Sequence, residues 1–125
     1  MQTALFIGLG SFVGGILRHL TGLLVKNWVE TTAFPWHTLA INLAGCLLLG
    51  LLTGLFERGF SLHPDLRAAL TVGVCGGFTT FSTFAGENLA LVRQGAIGLG
   101  LAYILASLVL GVLLLFAGYA LTTRI

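Results

Sequence analysis

The sequence predicts an all-α membrane protein with four transmembrane helices, and three observations carry that prediction. Of 125 residues, 57% are hydrophobic and only 8% charged, where a soluble domain carries about 25% charged residues. The mean hydropathy is +1.03. The apolar residues fall into four runs, each of about the 20 residues that a helix needs to cross the hydrocarbon. A chain of this length is too short for two domains, so residues 1–125 read as one four-helix transmembrane unit.

The first run covers residues 3–25. No basic region precedes it and Arg18 interrupts it, so it lacks the shape of a signal peptide. A break follows that carries Lys26, Asn27, Glu30 and Pro35, flanked by Trp28 and Trp36 where an aromatic belt would place them. The second run covers residues 36–56. The next break carries Glu57, Arg58, His63 and Asp65 together with Gly59 and Pro64. The third run covers 66–92, Arg93-Gln94-Gly95 forms a tight turn, and the fourth run covers 95–121.

Four spans put both termini on one side of the bilayer, with Arg58, Arg67 and Arg124. The other side has Lys26 and Arg93, joined by Arg18 if it snorkels outward from the end of the first span. Three basic residues then face three, and the positive-inside rule gives almost no orientation. Charge counting leaves two readings open: a noisy count in a small protein, or copies that insert both ways up and pair antiparallel. Small-xxx-small spacings at Gly10/Gly14, Ala40/Ala44, Gly50/Gly54 and Gly73/Gly77 allow close helix approach and favour a homo-oligomer. No basic run points to nucleic acid. Cys46 and Cys75 lack any CxxC or Cys/His metal spacing and read as packing residues.

Polar groups inside a membrane span are functional candidates because burying them is costly. Arg18 and His19 end the first span, and Arg18 could be no more than an anchor. Asn42 in the second is equally interhelical glue or function. Thr79, Thr80, Ser82, Thr83 and Glu87 lie in the third. Tyr103 and Ser107 share a face of the fourth, and an isolated Ser107 more often bonds the carbonyl four residues back. Glu87 could face the interface or pair with an arginine.

The cluster "GGFTTFST" at 76–83 is harder to explain as packing. The third run spans about 40 Å as a helix, and its midpoint falls near Thr79. Gly-Gly followed by Thr-Thr is poor helix material. A helix that breaks at 76–80 exposes carbonyls at the end of its first half, where hydroxyls of "TTFST" can cap the second. Such breaks persist where they are buried in protein or line a cavity, and they typically hold ions. In an antiparallel dimer only midplane residues meet their own copies across the two-fold axis. Two carbonyls from each copy would then cage a small hard cation without any acidic side chain. For an anion, Phe81 and Phe84 share a face and can turn positive ring edges toward a path. Asn42, Ser82, Thr83 and Ser107 add hydrogen-bond donors.

The residues resemble those of the small fluoride channel family, called Fluc or CrcB. "GSFVGGILRHL" (10–20), "HTLAINLAG" (37–45) and "GVCGGFTTFSTF" (73–84), followed by an acid at Glu87, match the family's motifs in order and spacing. The resemblance implies a dual-topology homodimer with two fluoride pores flanking a central structural sodium ion, held here by the carbonyls of Gly76 and Thr79. It implies that Asn42, Phe81 and Phe84 line the pore, that Thr83 and Ser107 lie on or near a polar track, and that Arg18 is the motif arginine. Thr38 would border the vestibule. It further implies passive fluoride export from a bacterial cytoplasmic (inner) membrane, crossed several times. The departures are His37 where a glycine is common, His19 where a larger aromatic is usual, Phe78 for a common leucine, and Gly111 where a hydroxyl often extends the track.

Three other classes fit the residues less well, one of them a structural membrane subunit with no transport role, against which the midplane cluster argues. A proton-coupled small multidrug exporter shares the four-span architecture, but that chemistry needs a carboxylate deep in the first span, and none is there. An enzyme needs paired acids, a metal cluster or a nucleophile with its base. The spans hold none of these sets, so the chain reads as no enzyme.

Overall fold

The computed structural model describes residues 1–28 and 32–124. Those residues are helical, with no strand among them, and four helical stretches are long and apolar enough to cross a membrane. Helix α1 is Gln2–Trp28 and α2 is Trp36–Glu57. The third stretch is composite. It starts as α3 (Pro64–Ala68), widens into a π-helical segment (Ala69–Cys75) and closes with one α-turn, α4 (Gly76–Phe78). After two extended residues it resumes as α5 (Phe81–Arg93). Helix α6 is Ile97–Arg124. Glu30 of the first loop and the side chain of Trp28 lie outside the described residues.

Glycines organise the packing into two locked pairs. Helix α1 lies against the first half of the third span: a Cβ at Gly73 would fall 2.8 Å from the Ile7 carbonyl, and one at Gly77 would fall 2.6 Å from that of Ser11. Helix α2 lies against α6 in the same way: a Cβ at Gly118 would meet the Leu47 carbonyl at 2.5 Å, and one at Gly54 the Tyr119 carbonyl at 2.8 Å. No side chain could stand at these crossings. Close backbone approach replaces the hydrophobic drive that lipid cannot supply between helices.

Helices α2 and α5 each give way to a left-handed glycine, Gly59 (φ +89°) and Gly95 (φ +78°). At each, an amide one residue on reaches back five positions, Phe60 N–H to Leu55 and Ala96 N–H to Leu91. These are the 6→1 bonds that close a helix C-terminus. The expected turn at 93–95 is therefore present. The expected break of the third span is also present, but it falls later than the glycines. Gly76 and Gly77 stay helical, because Gly77 is pressed on α1. The chain opens at Thr79 (φ −80°, ψ 160°) and Thr80 (φ −151°, ψ 111°).

Candidate functional site

The break is built by three side chains. Thr79 ends the first half by directing both its amide and its hydroxyl to the Cys75 carbonyl, at 3.0 and 2.9 Å. Thr80 starts the second half: its Oγ1 accepts the Thr83 amide as an N-cap, and its hydroxyl donates to Thr83 Oγ1 at 2.9 Å. Asn42 clasps the gap between them. Its Oδ1 accepts the Thr80 amide at 2.9 Å and its Nδ2 donates to the Thr80 carbonyl at 3.3 Å. The glue role of Asn42 is thus realised, while a second N–H of its amide stays available. Because the Thr80 amide turns to Asn42, the Gly76 carbonyl lacks the partner four residues on that would continue the helix.

Arg18 does not snorkel outward. Its Nη1 lies 3.4 Å from the Thr79 carbonyl, across the α1 crossing. That long bond uses one lone pair of a carbonyl that has two. Glu87 lines the outer cavity and pairs with no arginine among the described residues. Thr38 donates to its Oε1 at 2.7 Å, Tyr103 donates to its Oε2 at 2.8 Å, and His37 Nε2 stands 3.2 Å from Oε1. Thr38 and Tyr103 are fully buried. Ser107 also departs: its buried Oγ has no partner, so it does not bond the carbonyl four residues back. Asn88 Oδ1 is a second buried oxygen without one.

Three cavities arrange these residues in series. An outer one of about 380 Å³ is walled by Lys26, Phe34, His37, Glu87 and Gln94. A middle one of about 340 Å³ is walled by Arg18, His19, Lys26, His37, Thr38, Thr80 and Thr83. An inner one of about 380 Å³ is walled by Asn42, Gly76, Thr79, Thr80, Phe81, Phe84 and Ser107. Lys26 and His37 border both the outer and middle cavities, and Thr80 borders the middle and inner ones. Ser82 lies on the exposed surface of α5, apart from all three.

The aromatic residues form a chain beside this path. Phe81 and Phe84 have ring centroids 5.7 Å apart, and Phe84 meets Tyr103 edge-on at 4.8 Å. Phe81 is 80% exposed in the single chain. Gly76, Ser82 and Thr83 are exposed as well. Sequence reasoning missed two features here, the π segment ahead of the break and the contact of His37 with Glu87. The departure at His37 was the available signal for the second.

Comparison with known proteins adds the following. The family described as "CrcB-like protein, Camphor Resistance (CrcB)" matches residues 5–119. A protein of Rhodospirillum centenum is 45% identical over 121 residues, covering 97% of this chain and 95% of its own length. One from Flavobacterium psychrophilum is 42% identical over 118 residues, covering 94% of each chain. One from Phocaeicola vulgatus is 43% identical over 113 residues, covering 90% of this chain and 92% of its own. All three are named fluoride-specific ion channel FluC.

Proposed function

The chain belongs to the CrcB-like family, and from that membership we propose that it is a fluoride channel, passing the ion passively out of a bacterium through its cytoplasmic membrane. It is a multi-pass membrane protein and no enzyme, since its relatives are named as ion channels. The observation that carries the reading is the inner cavity, where a broken span, an amide, two phenylalanines and an unpartnered hydroxyl meet.

A strongly hydrated anion enters such a place only if donors replace its water. The middle cavity offers Arg18 and Lys26 and the hydroxyl of Thr83, which receives a hydrogen bond from Thr80 and keeps its own proton free. The inner cavity offers the second Asn42 N–H, the ring edges of Phe81 and Phe84, and the Ser107 hydroxyl. No full negative charge lines either of these two cavities. Ser82, on the open face of α5, would act toward a partner rather than within this path.

The working unit is an antiparallel homodimer. Support comes from exposed polar groups around the break: the Gly76 carbonyl, without its helical partner, and the Ser82 hydroxyl would be costly against lipid. Covering them with a second, inverted copy requires the break to sit at the bilayer midplane. Residues 64–78 and Phe81–Arg93 flank it with near-equal lengths, as that arrangement needs. The carbonyls of Gly76 and Thr79 suit a structural sodium ion. Both line one cavity, one lacks its helical partner, and they are hard oxygen donors. When bound, that cation would offset the partial negative charge of the paired carbonyls.

The exporter alternative is not favoured. The first span carries no acid, and Glu87 is engaged by Thr38, Tyr103 and His37 rather than free to trade protons with a substrate. The test is efflux from liposomes holding the purified protein. Fluoride should leave quickly and chloride almost not at all. Comparable chloride efflux would overturn the assignment. Loss of assembly or flux is expected when sodium is replaced by a much larger cation, and indifference to that exchange would remove the sodium site.

A further inference from the structure

The channel reading leaves His37 without a role, yet its position is specific. It is the second residue of α2, and its half-exposed imidazole borders both the outer and the middle cavity. Its Nε2 lies 3.2 Å from Glu87 Oε1. Glu87 cannot swing away without abandoning the Thr38 and Tyr103 hydroxyls, both fully buried. The carboxylate is therefore a fixed negative charge in the wall of the outer cavity. The two cavities share Lys26 and His37 in their walls, so an ion going from one to the other would go by this pair.

The charged and titratable groups around the imidazole come from three other helices. Glu87 and the buried Tyr103 hydroxyl it binds face it from α5 and α6. Lys26 faces it from α1, where Arg18 and His19 also line the middle cavity. Among these side-chain types only an imidazole ordinarily changes charge between about pH 5 and 8. The local sum at the passage thus turns on histidine protonation.

Resting on the fluoride-channel reading, we propose that His37 sets the charge of the entry passage: protonated, it neutralises Glu87 and admits the anion, and neutral, it leaves the carboxylate to repel it. His37 acts through Glu87 as a positioning and charge-setting residue and need not touch the ion.

The test is fluoride efflux from liposomes at about pH 5.5 and about pH 7.5, bracketing the range over which an imidazole changes charge, with leak from protein-free vesicles subtracted. Wild-type efflux should be several-fold faster at the lower pH. His37→Gln should be slow and equal at both, whereas His37→Lys should be fast and equal at both. His19→Gln, altering the other histidine of the middle cavity, should keep the wild-type profile. A flat wild-type profile, a profile retained in His37→Gln, or one abolished in His19→Gln would each overturn the proposal while leaving the channel reading intact. Absence of fluoride efflux at either pH would overturn the channel reading and this proposal with it.

Discussion

The two halves of the third span have the same origin in one apolar run and opposite duties. The first half, residues 64–78, is gripped by α1 through Gly73 and Gly77 and is widened by a π segment. The second half, α5, makes no such backbone lock and keeps most of its surface open, including Phe81, Ser82 and Thr83. One half is a mount and the other a working face. The joint between them is two residues long; its own two threonines cap the flanking halves and Asn42 clasps it from α2. Rigidity and polarity are thus separated along one helix, so that the polar groups are fixed without being consumed by packing.

Adjacent glycines offer the sharpest way to break that comparison. Gly77→Val should leave no folded protein, because the new Cβ would fall 2.6 Å from the Ser11 carbonyl and 2.9 Å from its Cα. Overpacking of a tight interior costs about 1–3 kcal/mol even where side chains can yield, and here the obstacle is backbone. Gly76→Ala meets nothing within 4 Å in the single chain and should fold. Size-exclusion profiles of the two variants in detergent check the contrast; equal profiles would mean that the lock is not what mounts the first half.

Next in size is the working face. Phe81→Ile with Phe84→Ile should abolish fluoride flux and leave a folded assembly, since Phe81 is 80% exposed and supports little within the chain. Undiminished flux would show that the ring edges do not line the path. Asn42→Leu should act on the joint and so affect both halves. It strands the buried Thr80 amide, and an orphaned buried donor costs about 1–3 kcal/mol. A lowered melting temperature with reduced flux is expected; a wild-type melting temperature would sink the clasp.

How much of this was legible beforehand depends on how local the signal is. Hydropathy and the breakers Pro35, Gly59, Pro64 and Gly95 mark all four spans to within a few residues, because crossing a membrane is a demand on composition. The break was legible within residues 76–80 as poor helix material, but not which two residues open. Gly77 has low propensity, yet packing on Ser11 keeps it helical, while Thr80 opens because its hydroxyl caps the next turn. The partners of Arg18, Glu87 and Asn42 come from distant segments, at separations of 61, 49 and 38 residues. No spacing rule reaches that far. The unpartnered Ser107 hydroxyl is likewise a property of the assembled helices, not of residues 103–111.

The smallest effect concerns the far end of the working face. Tyr103→Phe keeps the ring, and with it the edge contacts to Phe84 at 4.8 Å and Phe34 at 5.4 Å. It removes one hydrogen bond, from the hydroxyl to Glu87 Oε2. Thr38 and His37 still hold Oε1, so the carboxylate should stay in place. A hydrogen bond to a charged group contributes about 1.5–3 kcal/mol to stability, and the melting temperature should fall accordingly while most of the flux survives. The pH profile assigned to His37 should also survive, because the imidazole and its carboxylate are untouched. If flux instead vanished as completely as in the double phenylalanine variant, the Tyr103 hydroxyl would have to meet the ion itself. The working face would then extend past Phe84 to Glu87, and the division between holding and conducting residues would have to be drawn one turn further along α5.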